Sequence, residues 1–197
     1  MTTHNFLLNR MSLVYDTVEP NDRIIKILQQ NGTLLNLNDQ GYTPLIFAII
    51  SGYTNWAKIL IDNSVGINQL DSEDRSPLHW ASKEGHNSII EMLLRSGAKV
   101  NVQDINKAQP IHLAANKGHL QAVEMLINYE ANFDAKGEDD YTPLHESGIN
   151  QHFDVVNCLI NCGANIELRN DEQNTPMEDI MESDLVDGFK VMIFSQF

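Results

Sequence analysis

The sequence predicts an all-α solenoid of stacked helix-turn-helix units whose turns project as fingers. The first of two observations behind this prediction is a dipeptide ending in proline that recurs every 33 residues, without insertion or deletion. Its five copies are Thr43-Pro44, Ser76-Pro77, Gln109-Pro110, Thr142-Pro143 and Thr175-Pro176. A period of this length is typical of repeat proteins in which each unit packs only against its neighbours.

The second observation is that glycines and leucines keep the same register. These columns are Gly52, Gly85 and Gly118, and Leu60, Leu93, Leu126 and Leu159. Where the residue before proline is Thr or Ser, its hydroxyl is expected to cap the first helix, and proline fits the first helical position. The glycine ends that helix because it adopts a left-handed backbone at little cost. In the second helix, residues such as Ile90, Leu93 and Leu94 recur with helical period, which predicts one buried face.

The register divides the chain into the parts of a single domain. Four full units are expected at residues 38–70, 71–103, 104–136 and 137–169. Residues 1–37 are expected to form an N-terminal cap and residues 170–197 a C-terminal capping repeat, because terminal units of such arrays need an atypical outer face. The apolar stripe within residues 185–197 is expected to cover the last full unit.

The second unit has the most diagnostic sequence, in which Ser76-Pro77-Leu78-His79 is followed by a pair of small residues, Ala81-Ser82, and then by Gly85-His86 and Gly97-Ala98. In this pattern the chain resembles the ankyrin-repeat family, and the resemblance covers residues 38–169. It implies that fingers and first helices line an elongated concave face that binds other proteins. Within the family, the stretch from Arg75 to Ala81 is similar to gankyrin-type proteasome assembly chaperones, and inhibitors of Rel-type transcription factors form a second subtype.

Composition argues against two classes of partner. The 197 residues include 13 Lys plus Arg against 27 Asp plus Glu, a formal net charge of -14 that would repel a phosphate backbone. We therefore expect no nucleic-acid partner. Apolar runs are far shorter than the roughly 20 residues of a membrane span, and no secretory leader is visible. We expect no membrane partner, a cytoplasmic or nuclear location, and reduced thiols at Cys158 and Cys162.

The histidines fall into the repeat and do not form a cluster. Six of the seven stand in two columns: His79, His112 and His145, and His86, His119 and His152. The resemblance implies that the first column hydrogen-bonds the turn backbone. Packed helix layers about 8–10 Å apart keep three imidazoles from sharing one ion. Because phosphate-loop and nucleophile motifs are also missing, we expect no catalytic residue, no metal site and no cofactor.

Charge is concentrated at the C-terminal end, where residues 137–197 carry -11 of the net charge of -14. Fields of one sign steer partners of opposite charge, which favours a partner with a basic surface. The alternative is that the acidic end keeps the array soluble. The predicted protein-binding residues are Tyr42, Glu73, Arg75, Asn106, Lys117, Glu138, Asp139, Tyr141, Asp171 and Glu172.

Tyr141 is the predicted anchor of this surface, because an exposed tyrosine offers both apolar area and a hydroxyl. The alternative is that Tyr42 and Tyr141 each pack along their own finger. The sequence thus predicts a monomeric, non-catalytic protein-protein interaction module that acts as adaptor, scaffold, inhibitor or assembly chaperone. A self-assembling structural protein, joined through its apolar terminal helix, is the alternative function.

Three departures from the repeat pattern concern helix ends and packing. Gln109 replaces a capping hydroxyl, Gln151 replaces a helix-ending glycine, and Gly148 stands where a second alanine is usual. A glycine inside a helix costs about 0.5–1 kcal/mol relative to alanine. We therefore expect residues 137–197 to exchange amide hydrogens faster than the second and third units.

Overall fold

The structure is a computed structural model and describes residues 41–182. In this range it has nine α-helices, one 3-10 turn at Glu138–Asp140 and no strand. The helices are α1 Pro44–Ile50, α2 Thr54–Asp62, α3 Pro77–Glu84, α4 Asn87–Arg95, α5 Pro110–Asn116, α6 Leu120–Asn128, α7 Pro143–Ile149, α8 Phe153–Asn161 and α9 Pro176–Glu182. Odd-numbered helices are the first helices of the units, and even-numbered helices are the second.

The helices form two layers. Each first helix packs against the first helix of the next unit, from α1 through α9, and the second helices α2, α4, α6 and α8 stack in the same order. This arrangement confirms the predicted all-α solenoid. The predicted cap at 1–37 and the apolar stripe at 185–197 lie outside the described residues, and the unit boundaries stay a prediction.

A continuous apolar core lies between the two layers. First helices contribute one column and second helices another, and every member is at most 1% exposed. These columns are Leu45, Leu78, Ile111 and Leu144, and Leu60, Leu93, Leu126 and Leu159. The leucine column read from the sequence is therefore the buried face of the second helices. Because each unit completes the core of the next, the stack is stabilised as a whole.

Hydroxyl caps begin most of the first helices, as predicted. The Oγ1 of Thr43 accepts a hydrogen bond from the Ile46 N–H at 3.2 Å, and Ser76 and Thr142 accept equivalent bonds from the third helical residue. A proline follows each of these caps at the first helical position. Each cap satisfies an N–H group that would otherwise lack an intrahelical partner.

Gln109 begins α5 with the same extended backbone as Ser76, at φ -100° and ψ 164° against φ -81° and ψ 165°. Its buried Oε1 has no hydrogen-bond partner within residues 41–182. We expect Gln109→Thr to raise the free energy of unfolding by about 1 kcal/mol, because the hydroxyl would cap α5 and the unsatisfied oxygen would disappear. Urea unfolding measures the change. An equal gain in Gln109→Val, which lacks the hydroxyl, would contradict the capping explanation.

Gly148 in α7 has a packing role that its helix propensity does not reveal. A Cβ at this position would lie 2.5 Å from Cγ1 of Ile180, which is fully buried on α9. The glycine therefore allows α9 to approach α7 closely. Faster hydrogen exchange in residues 137–197 stays a prediction.

The glycines after the first helices have left-handed backbones, as predicted, with φ +73° at Gly52 and φ +71° at Gly118. Gly118 also leaves room for the next unit, because a Cβ there would lie 2.4 Å from His152 Nδ1. At Gly52 no atom would lie within 4 Å of that Cβ. Gln151 takes up φ +62° at the equivalent position of the fourth unit.

Alanine substitutions can separate these two roles of glycine. Gly52→Ala is expected to lower the free energy of unfolding by about 1 kcal/mol, the strain of an alanine in the left-handed conformation. Gly118→Ala is expected to cost about 2 kcal/mol, because the His152 ring must also move and lose its bond to the Asn116 carbonyl. Chemical denaturation of both variants measures the difference. Equal costs would show that the histidine contact contributes nothing.

Candidate protein-binding groove

Two histidine columns join neighbouring units. In the first column Nδ1 accepts from the backbone N–H of the cap residue, and Nε2 donates to a backbone carbonyl 23 or 29 residues further along the chain. These acceptors are Ala108 for His79, Ala135 for His112 and Asn174 for His145, at 3.1, 2.9 and 3.1 Å. In the second column His86, His119 and His152 donate to Ile49, Lys83 and Asn116 of the preceding unit. The role expected for the first column, bonding turn backbone, is confirmed.

The fingers are short hairpins that lie between the units. A backbone bond closes each one, from Asp71 N to Arg75 O at 3.0 Å in the second unit and at equivalent positions in the next three. Neighbouring fingers are also joined, because Ile105 N donates to Glu73 O at 3.1 Å and Asp171 N donates to Asp139 O at 2.9 Å. The finger side chains are therefore presented along a fixed edge.

Asp71 is the centre of a buried polar cluster at the base of the second finger. Its carboxylate accepts the backbone N–H groups of Glu73 and Arg75 at 2.9 Å each, Arg75 Nε at 3.2 Å and Trp80 Nε1 at 3.0 Å. The Arg75 guanidinium also lies over the Trp80 ring, 4.3 Å from its centroid. Arg75 was predicted to face a partner, and the structure shows that much of its charge is already satisfied within its own unit.

A concave groove of about 290 Å³ lies between the fingers and the first helices of the second to fourth units. Five of the ten predicted binding residues line it: Glu73, Arg75, Asn106, Lys117 and Glu138. Leu113 and Glu146 also line it, on α5 and α7, together with Asn116. The structure therefore brings together residues that the sequence placed on three separate units.

The other five predicted residues lie elsewhere along the fingers. Asp139, Asp171 and Glu172 are exposed. Tyr42 and Tyr141 are half-buried, so the expectation of exposed tyrosines is corrected. The Tyr42 ring packs edge-on against Trp80 of the next unit, with centroids 5.4 Å apart, and Tyr141 packs against His145 at 5.5 Å. Burial raises the pKa of both tyrosine hydroxyls.

The acidic edge consists of Glu138, Asp139, Asp171 and Glu172. All four are exposed, and none forms an ion pair with another of the residues that the structure describes. Nearby carboxylates differ in this respect, because Asp140 pairs with Lys136 at 2.8 Å and Glu178 pairs with Arg169 at 3.0 Å. The acidic edge therefore keeps its charge available to solvent or to a partner.

Glu146 was not among the predicted binding residues. Its Oε2 accepts a hydrogen bond from Asn116 Nδ2 at 2.7 Å. Burial raises the pKa of this carboxyl, the bond from Asn116 lowers it, Glu138 raises it further and Lys117 lowers it. A glutamate on a helix ordinarily indicates a solvated face. The signal that could have identified it is its register with Leu113, which lines the groove.

A second feature missed from the sequence is a column of side chains that bridge neighbouring units. Asn68 Oδ1 accepts from Lys99 N at 2.8 Å, while its Nδ2 donates to Gly97 O at 3.0 Å. Asn101 makes the equivalent two bonds to the third unit. Asp134 in the same register accepts from the next unit but has no amide with which to donate. These bridges fix the spacing between units.

The structure contains no group of three His, Cys, Asp or Glu side chains placed to hold a metal ion, as far as residues 41–182 are concerned. In the same range, none of the helices has the length and apolar character needed to cross a bilayer. Neither cysteine of the described residues forms a disulfide, and burial raises the pKa of Cys158 to about 11.

Comparison with known proteins gives one family match. The model described as "Ankyrin repeats (3 copies)" matches residues 14–104 and 100–170, which together exceed half of the chain. No curated protein matches the sequence.

Proposed function

The chain belongs to the ankyrin-repeat family, and from this premise we propose that it is a non-catalytic protein-interaction module whose concave groove binds a partner protein. Repeats of this family generally mediate protein-protein interactions. The observation that supports the groove as the site is its lining, in which Glu73, Arg75, Asn106, Lys117 and Glu138 converge from three units. Such a module acts as an adaptor, a scaffold, an inhibitor or an assembly chaperone, the last in the manner of gankyrin-type proteins.

The partner in this proposal has a basic surface. The acidic edge lies beside the groove and shares Glu138 with it. Unpaired exposed carboxylates raise the association rate of a positively charged protein and make binding sensitive to salt. We place the module in the cytoplasm or nucleus and expect it to act as a monomer, which light scattering over a concentration series tests. The terminal segment invoked for self-assembly lies outside the described residues.

Site-specific photo-crosslinking tests the groove. A photoreactive residue at Asn106 faces the groove, and one at Glu124, which is exposed on α6, serves as the control. We expect a partner from a cell extract to crosslink at 106 and not at 124. A partner captured equally at both positions, or at 124 alone, would contradict the proposed site.

The contribution of the acidic edge is tested in the same extract with the variant Glu138→Gln, Asp139→Asn, Asp171→Asn, Glu172→Gln. We expect this variant to lose most of the captured partner, and the parent to lose it when the salt concentration is raised. Retention of the partner by both proteins at high salt would show that the edge has no role in binding and would favour the solubility explanation.

A further inference from the structure

The first helices carry one residue per unit in a column that changes character along the solenoid, and two of its members, Leu113 and Glu146, line the groove. The column runs Phe47, Trp80, Leu113, Glu146 and Asp179. In the second unit this residue bonds the side chain at the base of its finger, since Trp80 Nε1 donates to Asp71. In the last unit Asp179 likewise accepts from Asn170 Nδ2 at 2.9 Å.

Glu146 has no such partner, because the base of its finger is Gly137. A side chain could not be added there freely: a Cβ on Gly137 would lie 3.0 Å from Cδ2 of His112, a buried ring that bonds both its own cap residue and the Ala135 carbonyl. The Glu146 carboxylate is instead placed in the groove, where Asn116 donates the single hydrogen bond that it accepts from described residues.

The carboxylate of Glu146 also forms no ion pair with any residue between 41 and 182. Of the charged residues that line the groove, Glu138 raises the pKa of this carboxyl and Lys117 lowers it. A half-buried carboxylate in this setting is stabilised by a cation that brings its own hydrogen-bond donors. The groove therefore has an electrostatic preference for a lysine or arginine side chain at this point.

Leu113 supplies a second contact, one unit away in the same groove. Packed helices lie about 8–10 Å apart, and an extended chain advances about 3.3 Å per residue. An extended ligand therefore needs about three of its own residues to reach from one member of this column to the next.

We propose that the groove binds an extended segment of the partner in which an apolar side chain rests on Leu113 and a lysine or arginine, three residues away in either chain direction, pairs with Glu146. This inference rests on the proposed function, because it specifies the ligand of the same groove. It also separates Glu146 from the acidic edge: the edge attracts basic proteins in general, whereas Glu146 selects one residue at one spacing.

Glu146→Gln tests the inference without loss of the fold. Because the folded-state pKa of this carboxyl is raised, its ionised form destabilises the protein at neutral pH and this cost disappears as the pH falls. The variant is therefore expected to melt at a higher temperature than the parent at pH 7, with a difference that shrinks toward pH 4. A lower melting temperature at pH 7 would overturn the placement of an uncompensated charge in the groove.

Binding is measured with a phage-displayed library of random 12-residue peptides, selected on the full chain and on Glu146→Gln, with Glu124→Gln as the matched control. We expect the parent and Glu124→Gln to enrich sequences with an apolar residue and a lysine or arginine three positions apart. A synthetic peptide of the enriched sequence should bind Glu146→Gln at least tenfold more weakly, the loss of one charge-assisted bond.

The inference would be overturned if the enriched peptides lack a basic residue or place it at a different spacing from the apolar residue. It would also be overturned if Glu146→Gln binds the synthetic peptide as tightly as the parent does. A failure of the parent to enrich any sequence over Asn106→Trp, in which the groove is blocked, would have the same consequence. None of these results contradicts the proposed function, which is decided separately by crosslinking of the whole partner at Asn106.

Discussion

Asp71→Ala is expected to lower the free energy of unfolding by about 3 to 5 kcal/mol, the range found when one member of a buried ion pair is removed. The Asp71 side chain is fully buried, and Arg75 is 15% exposed. Loss of the Asp71 carboxylate leaves two backbone N–H groups and the Trp80 indole without their acceptor. It also leaves the Arg75 guanidinium without its buried counter-ion. Urea or guanidinium unfolding measures the change.

Asp104 provides a matched control for this substitution. It stands in the same register and accepts the equivalent two backbone N–H groups, from Asn106 and Ala108 at 2.9 Å each. Its unit has Ala108 and Leu113 where the second unit has arginine and tryptophan. Asp104→Ala is therefore expected to lower the free energy of unfolding by only about 1 to 2 kcal/mol. Equal costs at the two positions would show that the arginine and tryptophan bonds add little stability.

The sequence was sufficient to predict the helices, because their signals are local. A proline begins every first helix, and in most units a hydroxyl residue precedes it and a glycine follows the helix. Three of the four cap residues that precede α1, α3, α5 and α7 behave as predicted. The core columns also follow from periodicity alone. Interactions that join units 33 residues apart were harder to predict, because they depend on the exact approach of two side chains. The contact of Gly118 with His152 and that of Gly148 with Ile180 are of this kind.

The candidate site was predicted in part for the same reason. The register correctly indicated which residues lie on fingers and first helices, so half of the predicted set lines one groove. It did not reveal that Arg75 is engaged by Asp71, since that pairing depends on how the finger folds back. Glu146 was missed because its significance lies in a missing neighbour: only the comparison of Gly137 with Asp71 and Asn170 shows that its usual partner is absent.

Acidification is expected to destabilise the protein as the pH falls from about 6.5 to 4, through the buried histidines of the first column. Burial lowers the pKa of His112 to about 4, and it also lowers the pKa values of His79 and His145. In the folded protein His112 Nδ1 accepts from Gln109 N–H at 3.1 Å, and Nε2 donates to Ala135 O at 2.9 Å. A proton on Nδ1 would remove that acceptor.

The loss of stability at low pH follows from the lowered pKa values of these histidines. A histidine whose folded-state pKa is depressed takes up its proton first in the unfolded chain, so its stability contribution is complete above pH 6.5 and is lost as the pH falls toward 4. For His112 this loss amounts to about 3 kcal/mol, since one pKa unit corresponds to about 1.4 kcal/mol. Glu146 acts in the opposite sense, because its raised pKa makes its contribution more favourable at low pH.

Two measurements test this prediction together. The imidazole proton shifts of His112 in the folded protein should remain those of the neutral ring down to about pH 4. The slope of unfolding free energy against pH should be smaller in His112→Gln than in the parent between pH 6.5 and 4, even though this variant starts from a lower stability. Titration of His112 near pH 6.5 in the folded protein, or an unchanged slope in the variant, would show that burial does not hold the imidazole neutral.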